Sequence, residues 1–419
     1  MNNNHSTKES DFLPRWITAR LQSAVREHRV VVVTGARQVG KSTLLRRASP
    51  FADWRYYTFD DYDVLRQAED NPQSLWAGTS HIIIDEVQKL PTLLPAIKRA
   101  VDSSRGSLHF VLSGSANLLL MQKVSESLAG RAVYFALEPM TIGEINRRPA
   151  PTILEEMLAG KLPAEGKTSK PVDDVNTLLL RGLMPALLHI SSSVGWVEWW
   201  EGYVATYLER DLRQISQIDS LSDFHRVMEL LALRTGQLLN QSEVARDAQI
   251  SQPTIHRYIN LLEATYLLQR LPAFTSSRTT RLLKSPKVQW ADPGLAIYLG
   301  GYFDVASLST ARELGGFFET FVTHHLQVLA DLLTPRGRLH FWRTIAGKEV
   351  DVVVEQGQRQ VAFEIKMSDS VSFADADGLR LFLAEHPKAV SGAVIYRGQE
   401  IRRLDEQIVA LPLSVILGL

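Results

Sequence analysis

The chain has 419 residues, 45% apolar and 22% charged, with a formal net charge of zero and no cysteine. These are the proportions of a soluble globular protein long enough for about two to four domains. They exclude disulfides, thiolate zinc sites and a cysteine nucleophile, and they confine any nucleic-acid contact to a local basic patch.

The N-terminus, "MNNNHSTKES", is polar and lacks the apolar core of a signal peptide. No apolar run approaches the ~18 residues that span a bilayer. The expectation is a cytoplasmic protein with no membrane partner.

"RVVVVTGARQVGKSTLLRRA", Arg29 to Ala48, reads as a β-branched strand, a glycine-bearing loop and a helix. Gly35, Gly40, Lys41 and Ser42 fit G-x-x-x-x-G-K-[ST] in that context. Glycines let backbone N–H groups curl around phosphate oxygens, and the helix start adds its positive dipole end. The candidate ATP-binding residues are Gly35, Ala36, Arg37, Gln38, Val39, Gly40, Lys41, Ser42 and Thr43. Lys41 is placed to reach the terminal phosphates, and Ser42 to hold Mg²⁺.

"HIIIDEVQKL" supplies the second half of such a site. Ile82 to Ile84 read as a strand buried on both faces. Asp85 then falls at its C-terminal end, where ligands bind in open α/β sheets. Asp85 is the second Mg²⁺ residue, and Glu86 the group that polarises the attacking water. An Asp-Glu pair after a strand can also simply cap a helix. Around these segments "WRYYTFDD", "LHFVLSGSA" and "AVYFALEPM" read as further strands, with "LPTLLPAIKRAVDSS" and "NLLLMQKVSESLAGR" as helices. Such alternation predicts a parallel sheet with helices on both faces.

"TGARQVGKST", "IIIDEVQ", "LSGSAN" and "SLAGR" resemble the AAA-type ATPases of bacteria and archaea that carry a C-terminal domain of unknown function. The resemblance implies ATP binding and hydrolysis, with ATP and Mg²⁺ as cofactors, on a P-loop NTPase sheet. By position Ser113 or Ser115 resembles the sensor residue. Arg131 resembles a "GR" arginine that acts as a finger in a neighbouring subunit of a homo-oligomer, or as a lid contact. An ordinary surface arginine is the plain alternative.

Residues 149–218 read as a linker and helical lid. "TLLLRGLMPALLHI" and "TYLERD" resemble elements of the same family, with Leu183 and Met184 departing from its usual residues, and Arg210 and Arg213 placed toward the nucleotide. Trp196, Trp199, Trp200, Tyr203 and Tyr207 recur at helical spacing, which points to packing before base stacking. In 219–305, "GQLLNQSEVARDAQISQPTIHRYINLLEATYLLQRL" has helix–turn–helix spacing, with Ser242 capping the first helix and Pro253 in the first turn of the second. "YLLQRLPAF" reads as a wing strand. Candidate nucleic-acid contacts are Thr254, His256 and Arg257 on the second helix and Arg278, Arg281, Lys284 and Lys287 on the wing. Winged helices also bind proteins, so the partner is DNA, another nucleic acid or a protein.

"GKEVDVVVEQGQRQVAFEIK", Gly347 to Lys366, reads as a hairpin. A two-residue II′ turn at Gly357-Gln358 pairs residues whose numbers sum to 715. Glu349 then faces Lys366, and Asp351 faces Glu364. Like charges in that position repel, so either water screens them or a cation sits between them. Asp351 with Glu364-x-Lys366 resembles the metal site of the restriction-endonuclease-like PD-(D/E)xK fold. The helix "ELGGFFETFVTHHLQVLADLL" offers Glu319 as a further acid, although no Pro-Asp precedes the hairpin. Glu319, Asp351, Glu364 and Lys366 are thus a candidate second metal or nuclease site.

The expected organisation is an α/β P-loop domain (1–148), a linker and helical lid (149–218), a winged helix (219–305) and an α+β restriction-endonuclease-like domain (306–419). The expected activity is ATP hydrolysis that controls the later modules. An ATP-regulated, Mg²⁺-dependent nuclease and an ATP-switched adaptor are the alternatives.

Overall fold

A computed structural model describes residues 12–104, 106–115, 128–168, 172, 174–206, 218, 220–275, 277, 281 and 284–419. The chain forms two compact units, Met1–Glu138 and Pro139–Leu419. Residues 117–127 of the helix expected over 117–131, and Tyr207, Arg210, Arg213 and Arg278, lie outside the described residues.

In the first unit the strands are β1 (Val30–Thr34), β2 (Arg55–Thr58), β3 (His81–Asp85), β4 (His109–Ser113) and β5 (Ala132–Ala136). They form one sheet in the order β2-β3-β4-β1-β5, and every neighbouring pair is parallel. The β-branched run of β1 is buried along its whole length, as a central parallel strand requires. Helices α1 (Thr18–Glu27), α2 (Lys41–Arg47), α3 (Tyr62–Asp70) and α4 (Leu94–Ser103) accompany the sheet. Helix α4 buries Leu94, Ile97 and Val101, spaced at three and four residues, against Ile82, Ile84, Phe110 and Leu112. The strand ends are level: Val33 pairs with Ser113, and Ile84 with Leu112. The loop after β1, Asp85 and Ser113 therefore share one edge of the sheet. This is the P-loop NTPase arrangement.

The second unit carries a seven-stranded mixed sheet in the order β6-β13-β14-β12-β11-β10-β9. Its strands are β6 (Gly166–Lys167), β9 (Arg338–Arg343), β10 (Glu349–Gln356), β11 (Arg359–Lys366), β12 (Ala389–Tyr396), β13 (Glu400–Asp405) and β14 (Ile408–Pro412). Five further helices matter here: α5 (Leu221–Ala232), α6 (Gln241–Ala248), α7 (Gln252–Ala264), α8 (Leu314–Leu332) and α9 (Asp377–Glu385). Where the helix–turn–helix was expected, α6 and α7 are followed by β7 (Leu268–Leu271), which pairs antiparallel with β8 (Lys287–Trp290). The first cap is Asn240, not Ser242: the Asn240 side chain accepts from the N–H groups of Ser242 and Glu243. Pro253 does stand in the first turn of α7, behind the cap Ser251. Trp196, Trp200 and Tyr203 are buried, in keeping with packing.

The β10–β11 register is the one the turn chemistry predicts: Val352 pairs with Phe363 and Val353 with Ala362. Gly357 has φ of 62° while Gln358 is not at positive φ, as a II′ turn requires. The side-chain alternation departs from expectation, because β10 carries a register shift against β9 between Val350 and Val353. Such a bulge re-aims the side chains within it. Val350 and Val353 both enter the buried cluster with Phe382 of α9, which strict alternation would forbid. Asp351 sits within this irregular segment.

Candidate active site

The nucleotide loop is built from conformations that most residues avoid. Gly35 has φ of 143°, and a Cβ there would fall 2.2 Å from the Leu137 carbonyl oxygen. Gly40 and Gln38 also take positive φ, 99° and 64°. Lys41 is buried, and its ammonium donates to the carbonyls of Gly35 at 3.0 Å and Ala36 at 2.8 Å. Burial lowers its pKa to about 8, against the pull of the Glu86 and Asp85 carboxylates. Arg15 braces the loop from outside the motif. Its guanidinium donates to the carbonyls of Val39 at 2.8 Å and Glu138 at 2.6 Å.

Asp85 is buried at the end of β3. Its carboxylate accepts from the Tyr56 hydroxyl at 2.5 Å, from the Glu86 N–H at 3.0 Å, and from the Ser113 hydroxyl. Burial and the Asp85 bond push the Tyr56 phenol well above its usual pKa, and Ser42 lies in hydrogen-bond contact with the same hydroxyl. Arg46 stacks its guanidinium 4.3 Å from the Tyr56 ring centroid.

Glu86 leaves the strand with φ of 55° and leads into a tight turn, Val87–Lys89. The Gln88 amide nitrogen donates to the Glu86 carboxylate and, at 3.1 Å, to the Ser115 hydroxyl. Burial raises the Glu86 pKa, opposed by Lys41 and the Gln88 bond. The two serines thus divide: Ser113 holds Asp85, and Ser115 belongs to the Glu86 side. These residues fit a nucleotide with its Mg²⁺, because a buried ammonium, a hydroxyl and a hard carboxylate lie together beside the loop after β1.

The second cluster lies in the C-terminal unit. Lys287, on β8, is 3% exposed, and its ammonium stands 2.5 Å from Glu349, 2.9 Å from Glu319 and 3.5 Å from Asp351. Gln289 adds a bond to Glu319 at 3.2 Å, and its amide oxygen accepts from Thr320 at 2.6 Å. Asp351 also accepts from the Ile365 N–H at 2.8 Å, and Lys366 donates to Glu364 at 2.7 Å. The expected Glu349–Lys366 pair is not formed. Glu349 is drawn instead to Lys287 and, at 3.7 Å, to Arg343. The repulsion between Asp351 and Glu364 is met by two ammonium groups, Lys287 beside one and Lys366 beside the other. Burial, then the Asp351 charge, push Glu364 up to about 7 and Glu319 upward as well. Three carboxylates hold Lys287 charged against the cost of its burial.

Comparison with known proteins decides the family. The uncharacterized proteins Rv2008c of Mycobacterium tuberculosis and Mb2031c of Mycobacterium bovis are each 32% identical to the chain over 403 residues, covering 95% of it and 83% of their own length. The chain belongs to the family of these two proteins. The model of the AAA domain matches residues 27–146. Two domains of unknown function follow, DUF8612 over 172–306 and DUF4143 over 314–416. Among solved structures, the Walker-type ATPase PABY2304 of Pyrococcus abyssi is 16% identical, with a TM-score of 0.46 over 70% of this chain and 97% of its own. The Thermotoga maritima RuvB Holliday junction branch migration motor is also 16% identical, with a TM-score of 0.28 over 61% of this chain and 89% of its own. The N-terminal unit is an AAA-type ATPase domain.

The remaining expected residues are scattered within the framework of this family. Arg131 precedes β5, where Ala132 pairs with Val30 at the start of β1. It therefore stands at the sheet edge opposite the nucleotide loop, about 15 Å away at ~3.3 Å per strand residue. That placement keeps Arg131 away from the nucleotide loop of its own chain. Its guanidinium is paired with Asp102 at 2.7 and 2.9 Å on the surface. Lys287, expected to contact nucleic acid, is buried in the carboxylate cluster. Arg281 makes a two-bond contact with Glu355, at 2.7 and 3.2 Å, and lies 4.7 Å from the Phe274 ring centroid. Both were expected on a solvated wing, and both instead neutralise acids of the C-terminal sheet. His256, Arg257 and Lys284 are exposed, and Thr254 is half-buried. Among the described residues no group of three or more His, Asp or Glu side chains is arranged to hold a metal ion. With Lys287 in place, Glu319, Asp351 and Glu364 do not fit a divalent cation. No helix among the described residues is long and apolar enough to cross a membrane.

No motif singles out Tyr56, Gln88 or Arg15 as site residues. Tyr56 lies inside a strand pattern and Gln88 inside the quoted "DEVQ", so each had a positional signal. Arg15 had none.

Proposed function

We propose that the protein is an ATP-driven switch, in which nucleotide bound and hydrolysed in the N-terminal unit controls a winged-helix module and a nuclease-like module in the C-terminal unit. The observation that carries the hydrolytic part is the convergence of Lys41, Asp85, Glu86 and Ser115 on one sheet edge. Lys41 would exchange its bonds to Gly35 and Ala36 for the terminal phosphates. Ser42 and Asp85 would hold Mg²⁺, which supplies charge neutralisation on the phosphate oxygens when bound. Tyr56 and Ser113 fix the Asp85 carboxylate, so that little side-chain freedom is lost on binding. Glu86, whose pKa burial raises, would take the proton of the attacking water. Arg131 suits a finger supplied to a neighbouring copy, since its own nucleotide is out of reach.

For the output, the exposed His256 and Arg257 with half-buried Thr254 on α7 suit a nucleic-acid contact, joined by Lys284. The nuclease alternative at Glu319, Asp351, Glu364 and Lys366 requires Lys287 to withdraw first. Hydrogen exchange tests the coupling. With ATP held in Glu86→Gln, amides of β8 and β10 should exchange at a different rate than with ADP. Identical exchange in both states would reduce the proposal to an ATPase without this output.

A further inference from the structure

Gln88 occupies a position that the assignments above leave unused. Glu86 takes the left-handed conformation, with φ of 55°, and the following three-residue turn returns Gln88 to its side. The Gln88 amide nitrogen bonds the Glu86 carboxylate and the Ser115 hydroxyl. A carboxylate only accepts, so the NH₂ end must face Glu86. That turns the amide oxygen the other way, where it is buried with no hydrogen-bond partner among the described residues. A buried acceptor left alone is costly and marks a place that a further group completes. Because Ser115 accepts from Gln88, its own O–H remains a donor.

We propose that Gln88 is a positioning residue for hydrolysis: its amide nitrogen yokes Glu86 to Ser115, and its amide oxygen accepts a hydrogen bond from the water that Glu86 polarises. This rests on the ATPase reading with Glu86 as base. Two independent consequences follow from the two ends of one amide. Losing the nitrogen releases Glu86 and Ser115 from each other, so the carboxylate is no longer held in one orientation. Losing the oxygen frees the water to rotate, which lowers turnover and leaves ATP binding alone.

The test uses the full chain with Mg²⁺ and ATP. In Gln88→Leu turnover should fall about 10- to 100-fold with the KM for ATP within about threefold. Gln88→Ala, which has no branched side chain to accommodate, should give the same split if Gln88→Leu folds poorly. Gln88→Glu keeps an acceptor oxygen but loses the donor, and should not recover turnover. Recovery in Gln88→Glu overturns the yoke to Glu86. Unchanged turnover in the folded Gln88→Leu, or a raised KM with kcat intact, overturns the positioning role. Wild-type turnover in Glu86→Gln would instead remove Glu86 as base, whatever Gln88→Leu does.

Discussion

Lys41 is poised between two sets of partners. Without nucleotide its ammonium is buried against carbonyls and its pKa is lowered to about 8. Phosphate oxygens would favour the charged form and raise that value. Binding of ATP at about pH 8.5 should therefore take up a fraction of a proton. Calorimetric titration in two buffers of different ionisation enthalpy reads this directly, and equal heats would show Lys41 fully charged beforehand. A second residue-scale prediction concerns His325, which is fully buried. Its Nδ1–H donates to the Phe321 carbonyl at 2.8 Å, and its Nε2 accepts from the Ile142 N–H at 3.0 Å. Burial lowers its pKa from 6.5 to about 4. The neutral ring contributes stability that is full above pH 6.5 and is lost as pH falls through 4, because the unfolded chain binds the proton first. The slope is at most about 1.4 kcal/mol per pH unit. Denaturant melts of His325→Gln should lose this share of the pH dependence in that window.

At the scale of elements, the β-branched run of β1, the isoleucines of β3 and the II′ turn were legible because each is a local signal: periodicity, burial on two faces, a glycine at positive φ. The bulge in β10 was not, since it depends on how β9 ends beside it, and no pattern in "KEVDVVVEQ" announces it. Lys287 was read as a wing cation for the same reason. Its sequence neighbours are basic, while the three carboxylates that surround it come from α8 and β10, 32 to 64 residues away. Replacing it leaves buried acids unbalanced. Lys287→Met should destabilise the C-terminal unit by about 3–5 kcal/mol. Adding Glu319→Gln and Glu349→Gln should recover part of that loss. Equal stability of wild type and Lys287→Met in urea melts would mean that the cluster is solvated and the ion pairs are weak. Added Mn²⁺ serves as the control for the nuclease alternative, since a cation site exposed by Lys287→Met would gain stability from metal and wild type would not.

For the whole molecule, the ATPase domain was legible because contiguous motifs, Gly35 to Thr43 and Asp85 to Glu86, carry the candidate nucleotide site. Arg131 was read from the motif "SLAGR" with its alternatives open, and its pairing with Asp102, 29 residues away, carries no sequence signal. If it is a finger for a neighbouring copy, Arg131→Ala should lower turnover by up to about 10³-fold with ATP affinity nearly intact. Mixing it with Lys41→Ala should restore part of the activity, and no recovery at any ratio would return Arg131 to a surface pair with Asp102. The central claim, that this loop and this glutamate hydrolyse ATP, is tested most directly by the nucleotide each protein retains. Wild type, Lys41→Ala and Glu86→Gln would be incubated with ATP labelled at both the α and γ positions, then stripped of free nucleotide. The account predicts ADP on wild type, ATP on Glu86→Gln and nothing on Lys41→Ala. ADP on Glu86→Gln, formed as fast as on wild type, would contradict it.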